Sequence, residues 1–450
     1  MEESIQREQF VRQQLSSWWF GLQYTLWFVP SVMTGVAVLL AFGMISVDRH
    51  VLAVQDLHAA WFFEGGAEGA RGVLTTIAGT MITVATTAFS ITIVALQLGS
   101  SQFSPRILQG FTRDRGNQVV LGVFIATFTY ATIVLRSVRS ASSDADVFVP
   151  AASVSLAILL AFAAIASLIF FFHHATRTIQ ASVVIERAIQ DTFTLIEQSD
   201  HRSNTAPTTS LHNSEDVVGT RAGRSGYVTH IDLDALLQLA ERHKLVLSIL
   251  PVVGDHLLST TTVVLMDSAR YLGLDHKARE ALDRGVRAAF EVELERTLEH
   301  DVILGFRQVS DIAIKALSPG INDPTTAMIC IDRLGEALVR LGNTRAESRM
   351  LTASGDVGGI QYASVGLAQA VDVCVPQIRH YGAGDVLVMV HLLRMLEVVA
   401  LEGDAWTREL IAAAAREVES EAEDTLTVPA DRQRVHNAAE WATEPASIDS

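Results

Sequence analysis

Four long apolar runs in the first 180 residues leave this chain few ways to fold. They are WFVPSVMTGVAVLLAFGMISV from about Trp27 to Val47, VLTTIAGTMITVATTAFSITIVALQL from Val73 to Leu98, a third from about Gln118 to Leu135 and a fourth from about Phe148 to Phe172. Each supplies about the 20 residues of helix that a bilayer requires. In hydrocarbon a run of this length satisfies its backbone groups internally only as a helix. The expected fold class is therefore an α-helical membrane domain with four transmembrane helices over residues 1–180. The start, MEESIQREQF, is acidic and no small-residue cleavage site follows, so the first run reads as a span and not as a removable signal. Trp18, Trp19 and Tyr24 stand where an interfacial aromatic belt would lie.

Arginine placement sets the expected topology. Four spans return both termini to one side. Arg7, Arg12, Arg106, Arg113, Arg115 and Arg177 fall on that side, against Arg49, Arg71, Arg136 and Arg139 opposite. The positive-inside bias predicts a multi-pass protein of the cell membrane with both termini in the cytosol. Residues 1–180 carry ten Lys/Arg and ten Asp/Glu, so the whole net charge of −16 lies beyond them. A soluble part this acidic argues against nucleic acid as a partner. The two cysteines, Cys330 and Cys374, cannot build a disulfide framework or a Cys-rich zinc site, which fits a reducing compartment.

Within the second run Thr76, Thr80, Thr83, Thr87 and Ser90 recur at spacings of four, three, four and three. That rhythm puts five hydroxyls on one helical face, with Gln97 near its continuation. The face is either the polar lining of a path for water or ions, formed when several copies surround an axis, or a packing surface of small residues that lets helices approach. The fourth run carries the small-residue row Ser153, Ala157 and Ala161, which reads as packing alone. The connection GSSQFSPRILQGFTRDRGNQ offers Arg106, Arg113 and Arg115 either to a lipid phosphate or the acidic domain, or simply to topology. His173 and His174 are adjacent, not spaced as a same-face ligand pair, and read as an interfacial cap.

The remainder predicts a mostly helical α+β cytosolic domain. Residues 181–226 read as a helix and flexible linker, because Ser199 to Gly226 loses its hydrophobic period and fills with Ser, Thr, Asn and Gly. Residues 227–268 read as a small α/β subdomain in which Gly254 and Asp255 turn one strand into the next. Residues 269–418 read as helical, and the polar, acidic stretch 419–450 as a disordered tail. In ALSPGINDPTTA, residues 316–327, Ser318, Pro319 and Gly320 stop one helix, while Asn322 or Asp323 caps the next with Pro324 in its first turn. Lys315, Asn322 and Asp323 thus form either a structural cap or a contact for a small polar ligand or another subunit.

ALSPGINDPTTAMICIDRL, LQLGSSQFSPRIL, GVFIATFTYATIVL and SGYVTHID occur in the same order as in the bacterial predicted membrane proteins grouped as domain of unknown function 2254. The chain resembles that family from the first span to about residue 420. The resemblance implies four spans and a cytosolic domain and transfers no catalytic residue. The sequence contains no Walker A loop, G-x-S-x-G elbow, H-E-x-x-H pair or dinucleotide fingerprint. The expectation is no catalytic residue, metal or cofactor, and the bilayer, further copies of the chain and an ion or small ligand as partners. Two functions follow: a homo-oligomeric, channel-like flux protein with a cytosolic regulatory domain, or a membrane-tethered sensor or scaffold that binds a ligand or protein.

Overall fold

A computed structural model describes residues 27–52, 63–102, 114–139, 148–178, 180–200, 216–342, 348–352 and 358–443. The chain divides into two compact units, Met1–Gln180 and Ala181–Ser450.

Among the described residues the first unit holds four helices long and apolar enough to cross a membrane. They are α1 (Phe28–Val47), α2 (Ala67–Gln102), α3 (Arg115–Ser137) and α4 (Ala151–Thr178). Helix α3 is the centre, packing against each of the other three. Its buried residues include Phe124, Tyr130, Ala131 and Val134. At Gly122 a Cβ would lie 2.5 Å from Met33 Sδ, so the absent side chain admits α1 at close range.

Polar groups tie the helix ends. Asp48 sits in a π-helical turn, Asp48–Leu52, that extends α1, and its buried carboxylate accepts from the backbone N–H groups of Ala152 and Ser153, both at 3.0 Å. It also accepts from the Ser153 hydroxyl. The carboxylate thereby satisfies donors at the start of α4 that the helix itself leaves without partners. Tyr130 donates to the Ser153 carbonyl at 3.1 Å, bringing α3 to the same knot. At the other end Asp114 caps α3 by accepting from Gly116 N–H at 2.8 Å, and His174 Nε2 lies 2.7 Å from its second oxygen. His174, expected only to cap an interface, joins α4 to the start of α3.

The second unit opens with α5 (Ala181–Asp200). A five-stranded sheet follows, made from β1 (Val217–Arg221), β3 (Val246–Ile249), β5 (Thr262–Asp267), β7 (Ser348–Thr352) and β8 (Gly359–Ala363), in the order β1-β5-β3-β8-β7. All its pairings are antiparallel except β3 with β8. A second sheet has the order β4-β2-β6, from β2 (Gly226–Ile231), β4 (His256–Leu257) and β6 (Phe290–Glu293). Helices α6 (Leu233–His243), α7 (Ser268–Leu272) and α8 (His276–Ala288) connect the strands. Leu236, Leu247, Val264, Met266, Leu282 and Phe290 form the core between these layers.

The helical remainder comprises α9 (Val302–Ala316), α10 (Pro324–Leu341), α11 (Leu367–Gly382), α12 (Val386–Glu402), α13 (Ala405–Thr425) and α14 (Pro429–Ala439). Helix α5 packs on α9 and α10. Gly305 of α9 makes room for Thr192 of α5. Arg333 of α10 pairs with Glu186 at 2.9 Å, and the Arg340 guanidinium lies 3.8 Å from the centre of the Phe193 ring. Cys330 and Cys374 are free and buried, and burial pushes the Cys374 thiol up to about 12.

Three expected boundaries are corrected. The sheet is not confined to 227–268: β1 falls inside the expected linker, and β7 and β8 arrive from the region read as a helical domain. Pairing of β3 with β8 joins segments more than 100 residues apart, and such contacts leave no local periodicity. The tail 419–450 is not disordered over its described part, because α13 runs to Thr425 and α14 spans Pro429–Ala439. Its burial rests on a sparse seam of Val418, Ala422, Val435 and Ala439, which polar composition conceals. Residues 444–450, like 201–215 of the linker, lie outside the described residues.

Candidate functional site

Helix α2 has two chemically different sides. Ala70, Leu74, Ile77, Ala78, Met81, Ala85 and Ala88 are buried in the first unit. Thr76, Thr80, Thr83, Thr87 and Ser90 are all exposed, and Gly72, Gly79, Thr86 and Gln97 share their side. The hydroxyl row is thus not consumed by packing within one copy. On α1 the outward residues include Val36, Leu39 and Phe42, and on α4 they include Leu159, Phe162 and Ile169, as a surface wetted by lipid chains should. Between Gly72 and Ser90 the outward side of α2 is instead mostly glycine, threonine and serine, interrupted by Ile82, and Ile93 and Val94 are exposed beyond it.

The hydroxyls are fixed by their own helix. Thr76 donates to the Gly72 carbonyl at 2.8 Å, Thr80 to Thr76 at 2.7 Å, Thr83 to Gly79 at 2.9 Å, Thr87 to Thr83 at 3.0 Å and Ser90 to Thr86 at 2.9 Å. Thr86, which sequence spacing does not select, does the same toward Ile82 at 2.9 Å. This back-bonding lets a threonine sit in an apolar medium without an unsatisfied donor. It also leaves each oxygen with acceptor capacity and no free proton.

The corner between α9 and α10 is a cap in full. Asp323 accepts from Thr326 N–H at 3.1 Å and from the Thr326 hydroxyl at 2.6 Å. These bonds hold its carboxyl below the usual range. Asn322 adopts φ of 52°, the left-handed conformation that asparagine tolerates, and turns the chain out of α9. Lys315 is exposed, and its carbonyl accepts from Ser318. A depressed carboxylate pKa contributes stability above the unfolded pKa that disappears as pH falls through the folded value. We predict that Asp323→Ala costs about 1 kcal/mol at neutral pH, and that its difference from wild type narrows below about pH 4. Urea unfolding across pH checks both.

Of the three arginines between the second and third spans, Arg115 is exposed on the first turn of α3, while Arg106 and Arg113 lie outside the described residues. Among the described residues Glu419, Glu423 and His436 bring one possible metal-ligand atom each within 4.8 Å of the others. His436 Nδ1 is 2.7 Å from Glu419 Oε1, and that contact raises the imidazole pKa, so an exposed ion pair accounts for the arrangement.

Residues 23–398 match the model of a family described as "Predicted membrane protein (DUF2254)". The chain is 34% identical to the Uncharacterized protein Rv1290c of Mycobacterium tuberculosis over 390 residues, covering 84% of this chain and 72% of that one. It is equally similar to the Uncharacterized protein Mb1321c of Mycobacterium bovis, with the same coverage. No solved structure matches the chain.

Proposed function

The chain belongs to the family of predicted membrane proteins grouped as domain of unknown function 2254, and from that premise we propose that it is a homo-oligomeric flux protein whose α2 helices line the path. One observation carries the reading: from Gly72 to Ser90 the exposed residues of α2 are glycine, threonine and serine apart from Ile82, where α1 and α4 expose bulky aliphatic and aromatic residues. Small residues let helices from neighbouring copies approach one axis. Hydroxyl oxygens along that axis replace part of an ion's hydration. Four helices enclose little by themselves, so the path needs repetition by symmetry. The second unit then lies in the cytosol with both termini, in the orientation that arginine placement favours, and acts as the regulatory part.

The test is ion flux into liposomes containing the purified full-length protein, beside a Thr83→Leu, Thr87→Leu variant that still assembles. The wild type should conduct, and the two leucines should reduce flux strongly by replacing hydroxyls with branched hydrocarbon. Absence of flux from the wild type across several ions, pH values and membrane tensions sinks the proposal. The family member would then be read as a tethered sensor or scaffold.

A further inference from the structure

We propose that the path prefers cations to anions and that Glu68 sets this preference, an inference that rests on the flux reading above. The apolar run in the sequence starts at Val73, but α2 begins at Ala67, which brings Glu68 into its first turn. Glu68 precedes Gly72 by four residues and Thr76 by eight, so it stands on the hydroxyl side, and it is exposed. Glu68 and Arg71 are the two charged residues of α2. Arg71 points elsewhere: its guanidinium donates to the Val138 carbonyl at 3.1 Å. Copies arranged around the α2 face would therefore place a ring of carboxylates at one mouth of the path.

The lining agrees in sign. Every hydroxyl proton from Thr76 to Ser90 named above is already donated to a carbonyl one turn back, so the side offers acceptor oxygens. A cation is solvated by acceptors, whereas an anion needs donors. The start of α2 carries about +0.5 of a charge from the helix dipole. One full negative charge per copy at Glu68 exceeds it on the hydroxyl side, while the Arg71 cation is held off that side at the Val138 carbonyl.

The experiment measures the reversal potential of the full-length protein in planar bilayers under a KCl gradient, for wild type, Glu68→Gln and Glu68→Asp. The wild type should reverse on the potassium side of zero, and Glu68→Asp should keep that sign. Glu68→Gln should lower the potassium-to-chloride permeability ratio by about fivefold, the worth of one unit charge at about 4 Å in bulk water. Chloride preference, absence of preference, or a Glu68→Gln ratio equal to wild type overturns the inference while leaving the flux reading intact. A wild type that carries no current removes both. Equal oligomer size for the three proteins keeps the comparison valid.

Discussion

Replacing Asp48 with alanine should destabilise the membrane unit by about 3 kcal/mol, the scale of losing charge-assisted hydrogen bonds at a buried site. The carboxylate receives the N–H groups of Ala152 and Ser153 and the Ser153 hydroxyl, and alanine strands all three at the start of α4. Water does not easily replace them, because Asp48 is only 5% exposed. An Asp48→Asn side chain would keep one acceptor oxygen but turn an amide N–H toward donors, so this variant should recover less than half of the loss. Unfolding in a detergent-to-SDS titration, followed by circular dichroism, reads the difference. Both cysteines belong to the other unit and should remain protected from thiol reagents while this occurs. An Asp48→Ala protein as stable as wild type would refute the role given to this carboxylate.

The second large effect is expected where α5 meets α9. Alanine is a better helix former than glycine by about 1 kcal/mol, so Gly305→Ala would stabilise a free helix. Here a Cβ at residue 305 would drive into the Thr192 side chain, which is itself buried. Overpacking of this kind costs about 1–3 kcal/mol, and we expect a net loss of about 2 kcal/mol. Thr192→Ala removes the obstructing Oγ1 and Cγ2, so the double variant should recover at least about 1 kcal/mol, within the range of coupling between touching residues. The buried thiols of Cys330 and Cys374 supply the readout. Their labelling by a maleimide should accelerate in Gly305→Ala and slow again in the double variant. Simple additivity of the two substitutions would show that the contact is not what excludes a side chain from residue 305.

Much of this architecture is legible from residue order because its causes are local. A run such as Val73 to Leu98 announces a membrane helix by length and apolarity alone. The hydroxyl rhythm Thr76 to Ser90 needs only the helical period. The stop at Ser318 to Gly320 and the cap at Asp323 are likewise chemistry of adjacent residues. Features made by distant partners are not legible in this way. Asp48 reads as the polar edge of a span until Ala152, 104 residues later, is seen to donate to it. Strand β8, within a glycine-rich segment, acquires its identity from β3 and β7. Helix α14 forms against a few small buried residues that no periodicity advertises. Glu68 escapes for a different reason: α2 begins before its hydrocarbon-like residues do, so a window drawn on apolarity omits its first turn.

The central place of α3 has a consequence for how the membrane unit is made. Helices α1 and α2 rest chiefly on α3, not on each other. During synthesis the first two spans therefore enter the bilayer before the surface that joins them exists. Gly122, against which Met33 and Pro30 of α1 pack closely, and Phe124 and Tyr130 all belong to that later segment. Assembly of the bundle is consequently post-insertional for its N-terminal half, and a chain interrupted after α2 leaves two separate helices in lipid with their future contact faces turned to hydrocarbon.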